Sequence, residues 1–267
     1  MFPNPDLTAL SSKDLRPGLR VGEERQPREG QHHAQVRQVL RSLQAGPQAS
    51  GRSSPGLIPV AASNPEQQGS PVMEELRADL SACRLCADRF AATATRHSPR
   101  PVVWFRPGAR LLIASQAPGL RVHEAGTPFW DRSGTRLRDW LGLDEKTFYD
   151  RSRVAIVPMA FCFPGYDAKG SDLPPPPVCA RVWRDRVLSQ LSDIRLTVLI
   201  GGAAMNWHLG RGPGVTERVR AWRDHAPDVF PLPHPSWRNT AWLKRNPWFG
   251  EEVLPALKAR VREVMED

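Results

Sequence analysis

No apolar run in the 267-residue sequence approaches the ~18 residues that a membrane-spanning helix needs, and residues 1–10 have neither the basic start nor the apolar stretch of a secretory signal. Membrane and secreted classes are set aside, and a cytoplasmic protein is expected. Cysteine is scarce: four residues in a chain of this length are too few for a disulfide framework. In a reducing compartment such a quartet marks a metal site or plain buried thiols. The first 70 residues lack tryptophan and cysteine altogether, and hold 8 of the 27 prolines with polar runs at residues 48–56 and 67–70. That composition buries too little apolar surface to offset chain entropy. Residues 1–70 therefore read as a disordered Pro/Ser/Gln-rich arm, with one short helix around residues 33–43.

What is present starts with charge. Thirty-seven Lys plus Arg against 28 Asp plus Glu give +9, which favours a polyanionic partner, nucleic acid before membrane surface. The arm carries 8 basic and 6 acidic residues, so most of the excess belongs to residues 71–267. There, short continuous apolar runs recur between Pro and Gly: 111–114, 154–157, 196–200 and 229–232 read as buried strands. Helical spacing is found at 73–85, 134–141, 178–191, 202–209, 217–225 and 251–264. Strands that alternate with helices and are apolar throughout predict a three-layer α/β/α sandwich around a short, mostly parallel four-stranded sheet. No internal repeat is visible.

In such a sheet ligands bind beyond the carboxyl ends of the strands. After the first run stand Gln116, Ala117, Pro118 and Gly119, then Gly126, Pro128, Phe129 and Gly134; after the second, Pro158, Ala160, Phe161 and Cys162; after the fourth, His234, Pro235 and Ser236. The cysteines form two pairs, Cys83 with Cys86 and Cys162 with Cys179, a set that suits a structural zinc or an iron-sulfur cluster.

Gln116-Ala117-Pro118-Gly119, then Gly126-x-Pro128-Phe129 and Gly134, then His234-Pro235-Ser236 together resemble the uracil-DNA glycosylase superfamily, closest to its iron-sulfur bacterial branch. The similarity runs from about Cys83 to the C-terminus. It implies a DNA-repair enzyme that hydrolyses the N-glycosidic bond of a deaminated or damaged base and leaves an abasic site. No lysine stands at a motif position to suggest lyase chemistry, so a monofunctional glycosylase is expected, a monomer that works at the nucleoid when engaged on DNA. By resemblance, His234 stabilises the leaving base, Gln116 positions water or the base, and Phe129 stacks on the flipped base. Ala117, Pro118 and Gly119 approach the substrate, and Gly134 precedes a helix whose N-terminus meets a phosphate. The four cysteines hold a structural [4Fe-4S] cluster, with zinc as the alternative.

Two positions depart from that pattern. Gln116 stands where the branch carries Glu, and an amide can hold a water but cannot act as a general base. Pro158 stands where an Asn reads uracil, and proline has no side-chain donor or acceptor. Backbone atoms of Ala160 or Phe161, or Gln116 itself, are then the candidate readers. After the histidine, Trp237, Arg238, Lys244 and Arg245 interleave aromatic and basic groups as a DNA-gripping loop does, with Ser236 beside them, while Trp242 and Trp248 suit core anchors equally well. His123 and Glu124 fit a pocket mouth or a solvated loop; His208 and His225, in helical stretches, read as structural. Two competing functions fit the same residues. One is an inactive superfamily member that binds DNA or a modified nucleotide, the other a zinc-stabilised domain acting on a small acidic metabolite.

Overall fold

The structure, a computed structural model, describes residues 70–266; the arm and its expected helix lie outside the described residues. The four apolar runs form β1 (Leu111–Ala114), β2 (Val154–Ile156), β3 (Leu196–Ile200) and β4 (Val229–Leu232), hydrogen-bonded in the order β2-β1-β3-β4. Every pairing is parallel, with Leu111 opposite Val154 on one side and Leu196 on the other.

Alternation along β1 builds the layers. Leu111 and Ile113 face a core completed by Leu137 and Leu141 of α4 (Arg132–Leu141) and by Leu257, Val261 and Val264 of the last helix, Leu254–Glu266. Leu112 points the other way, into a second core with Met73, Leu76 and Leu80 of α1 (Pro71–Ala82) and with Trp183 and Val187. With both faces covered, the strands have no solvent side, which is why they read as unbroken apolar runs. The expected three-layer arrangement is present, and the sheet is parallel throughout. Among the described residues no helix is long and apolar enough to cross a membrane.

The helices differ from expectation mainly at their ends. Helix α1 begins at Pro71, with the Ser70 side chain accepting from the Met73 N–H, and stops at extended Cys83 instead of running to Leu85. A four-residue break then leads into α2 (Ala87–Ala91), with Cys83 at its start and Cys86 at its end. Helix α3 (Leu120–Ala125), in a stretch read as loop, follows Gly119 and closes on Gly126 in the left-handed region, φ 69°. The short helix α5 (Glu145–Phe148) precedes β2. The stretch at 178–191 is composite: α6 (Pro177–Cys179) passes through a π turn, Ala180–Arg184, into α7 (Asp185–Leu188). The helices α8 (Gly201–Leu209) and α9 (Val215–Arg220) lie in the crossover from β3 to β4. Helix α10 (Thr240–Arg245) and a second π turn, Phe249–Val253, lead into α11 (Leu254–Glu266).

Gly134 corrects the sequence reading. It lies inside the first turn of α4 instead of preceding a helix, and the N-terminus there is capped by Asp131, whose Oδ1 accepts from the Gly134 N–H at 3.0 Å.

Candidate functional site

Beyond the strand ends the chain stays paired. The Val157 N–H donates to Ile113 O at 2.9 Å, Met159 N–H to Ser115 O at 2.8 Å, and Ala160 N–H to Gln116 O at 3.0 Å. The two loops are thus zipped together, and half-buried Gln116 is held by its own backbone. Ala117, Pro118 and Gly119 continue from it into α3, and Gly119 leaves open space where a side chain would stand.

Phe129 is fixed by a tight arrangement. Its backbone is in the left-handed region at φ 55°, its ring packs edge-on against Phe148 at 6.2 Å, and Tyr149 Oη donates to Pro128 O at 3.1 Å. A Cβ on Gly134 would fall 1.8 Å from Phe129 O, so only glycine lets α4 pass beneath this loop. Phe129 is 9% exposed, with the next residue, Trp130, at 53%.

His234 follows β4 between Pro233 and Pro235, and the loop is braced from two sides. Arg136 of α4 donates to Ser236 O at 3.0 Å, and Asn239 Nδ2 donates to His234 O at 2.7 Å. The Ser236 N–H donates to His234 Nδ1 at 3.2 Å. That bond requires an unprotonated Nδ1, so neutral His234 carries its proton on Nε2 and can donate there. Burial pushes the His234 pKa below its ordinary 6.5, with Asp131 and then Asp172 pulling the other way. Asp131→Asn keeps a good helix cap and removes the charge, so the His234 imidazole should titrate lower still in an NMR titration. An unchanged or raised value would remove Asp131 from the site's electrostatics.

Trp237 is 70% exposed, and Arg238, Lys244 and Arg245 are exposed around it. Arg238 reaches Asp172 at 3.8 Å, a surface pair of little energetic weight. Trp242 and Trp248 are half-buried and pack against the core: both rings meet Phe249 edge-on, and Trp242 Nε1 donates to Thr216 Oγ1 at 2.8 Å. His123 packs against His97 at 5.1 Å, and burial lowers its pKa; Glu124 is exposed.

The backbone readers suggested for a base are largely committed elsewhere. The Ala160 N–H serves Gln116 O, the Phe161 N–H donates to Cys179 Sγ at 3.3 Å, and Phe161 O accepts from Val102 N–H at 2.6 Å. Both residues are buried, so they shape the site from behind.

Cys83, Cys86, Cys162 and Cys179, distant in sequence, line one cavity with Phe90, Ala160 and Trp183, and none is in a disulfide. Burial pushes the Cys162 thiol up to about 12 and Cys179 to about 11. Each of those two also feels Cys83 and Cys86, so the four act on one another. Among the described residues no group of three or more His, Cys, Asp or Glu could hold a single metal ion as placed.

Behind Pro158 lies a residue that the sequence did not single out. Arg184 is 0% exposed and donates to Val157 O at 2.8 Å and to Pro158 O at 3.1 Å, with His208 Nε2 at 2.6 Å from its Nη2. His208 is structural, as expected. Arginine is rarely buried, so nothing in residue type flagged Arg184. Asp131 did carry a signal, an Asp three residues before Gly134 at a helix start.

Desolvation holds the pKa of His208 well below 6.5, and those of His123 and His234 below it to a lesser degree. Below pH ~6.5 the unfolded chain then binds protons that the folded one refuses. Stability should be intact above that pH and fall as pH drops from it towards the folded pKa values. His208→Gln leaves Arg184 an acceptor but removes the largest of these titrations, so melting temperature against pH should slope less below 6.5. Parallel curves for the two proteins would contradict this.

A family model described as the Uracil DNA glycosylase superfamily matches residues 102–258, more than half of the chain.

Proposed function

The chain belongs to the uracil DNA glycosylase superfamily, and from that premise we propose that it is a monofunctional DNA glycosylase that hydrolyses the N-glycosidic bond of a deaminated or damaged base and leaves an abasic site. The observation that carries this reading is the His234 imidazole, held at the end of β4 with Nδ1 as acceptor and Nε2–H free to donate. When the C1′–N bond breaks, its electron pair goes to the base, and a donor placed where that negative charge develops lowers the barrier. A neutral imidazole in a partly buried loop suits this, because it needs no reorganisation as charge builds.

Phe129, in its pinned loop, offers the face for an extruded base. The Gln116 amide holds a water near C1′ but cannot deprotonate it, so hydroxyl joins the sugar as the water's proton ends on the departing base. Asp131, the foremost charge acting on His234, adds a negative field that favours the cationic sugar. Trp237 with Arg238, Lys244 and Arg245 grips DNA phosphates and presses into the minor groove. Pro158 removes the usual reader of uracil, which leaves Gln116 as the side chain available to read the base edge.

The residues fit a resident metal group. Four thiols surround a cavity otherwise lined by apolar side chains, and an amide N–H already points at one sulfur, the kind of outer contact that supports thiolate ligands. A single zinc ion needs its four sulfurs about 2.3 Å from one centre. Thiols that share a cavity without closing on one point suit a [4Fe-4S] cluster better. Bound there, it would serve structurally, tying the end of α1 to the loop before α6.

Mass analysis of single- and double-stranded oligonucleotides carrying uracil, hypoxanthine, xanthine or hydroxymethyluracil tests the reading. Free base should be released and the strand should break only after alkali; direct strand scission would contradict monofunctional hydrolysis. Gln116 and Pro158 favour the rival, an inactive binder, which predicts DNA affinity with no base released from any substrate.

A further inference from the structure

We infer that Arg184 is the internal cation that balances the four-thiolate metal centre and ties that centre to the turn after β2. This rests on the metal reading above. The starting point is an imbalance. A guanidinium fully removed from water is unfavourable unless an anion compensates it, yet the groups bonded to Arg184 are two peptide carbonyls and an imidazole, all neutral. Among the described residues no carboxylate forms an ion pair with it; the chain neighbour Asp185 favours its charge, but from an exposed position where water screens it. Its Nε also has no hydrogen-bond partner. A buried cation with a spare donor calls for an anion nearby.

The backbone places one there. Cys179 and Arg184 are five residues apart and joined by the π turn Ala180–Arg184. In an α-helix a residue five positions on lies about 140° round the axis; a π turn, whose bond spans i to i+5, returns it to nearly the same side. After Asp185, Cys179 is the next charge that favours the Arg184 cation, and Trp183, next in chain, lines the cysteine cavity. Four thiolates around Zn²⁺ or a [4Fe-4S]²⁺ core carry a net charge of about −2, so either metal centre supplies the anion. The other two bonds of Arg184 go to Val157 O and Pro158 O, the peptides that lead from β2 into the segment ending at Cys162. Arg184 is therefore a positioning residue: it connects the metal centre to the loop that is zipped against Gln116.

Iron, sulfide and zinc contents of the wild type come first, and a wild type without bound metal would overturn both this inference and the metal reading. Chelator-driven metal release is then compared in wild type, Arg184→Lys and Arg184→Met. Arg184→Met should release metal at least tenfold faster and, if the metal is iron, show a more negative reduction potential, while Arg184→Lys, which keeps the charge, should stay within about threefold of wild type. Wild-type release and potential in folded Arg184→Met, or equal loss in Arg184→Lys, would overturn the charge role alone. Should Arg184→Met fail to fold, hydrogen exchange on the wild type decides. Metal removal should deprotect the Met159 and Ala160 amides, and unchanged protection there would overturn the link.

Discussion

His234→Ala should lower the rate of base release by roughly 10²–10³-fold, the loss typical of removing one preorganised donor from a developing anion. DNA affinity should change little, because Arg238, Lys244 and Arg245 stand outside the imidazole's contacts. The loop should persist as well: Pro233 and Pro235 restrict its backbone, and the bonds from Arg136 to Ser236 O and from Asn239 to His234 O do not involve the ring. The defect should therefore appear in single-turnover rate with binding nearly unchanged. Equal loss of binding and rate would indicate that His234 builds the loop instead of acting on the base.

Gly134→Ala should be the most damaging small substitution. Helix propensity alone predicts a gain of about 1 kcal/mol for replacing glycine inside a helix. Sterics oppose it: the new methyl would stand 1.8 Å from Phe129 O and 2.8 Å from Phe129 C, both backbone atoms. Neither can swing aside as a flexible side chain would, and Phe129 is already in the left-handed region at φ 55°. The clash should win, destabilising by roughly 3 kcal/mol or more, a fall in melting temperature of roughly 6–12 °C for a domain of this size. Base release should fall with it as the Phe129 ring shifts. A variant as stable as wild type would show that α4 and the Phe129 loop can separate freely.

How much was legible in the sequence depends on the scale of the signal. The strands were, because a strand buried on both faces announces itself as a short unbroken apolar run; β1, β3 and β4 have the expected bounds and β2 stops one residue earlier. The order of the loops after them was legible for the same reason. Helix α3 was not: it has six residues, begins without a side-chain cap and buries only Val122. The π turn was hidden because apolar spacing over residues 178–191 does not distinguish an i+4 from an i+5 ladder, and with it went the placement of Arg184 beside Cys179. Gly134 was visible as a motif glycine, but its reason, the close passage of Phe129 O, is a tertiary contact. Phe129 itself gave no sign of a left-handed backbone, which residue type would have argued against.

Base release from DNA decides whether this site breaks an N-glycosidic bond. The most direct test incubates metal-loaded protein in excess over duplex DNA containing uracil, hypoxanthine, xanthine or hydroxymethyluracil and measures free base by mass spectrometry. One free base per abasic site is expected from at least one substrate, released far more slowly by His234→Ala. DNA that is fully bound yet returns every base intact would contradict it.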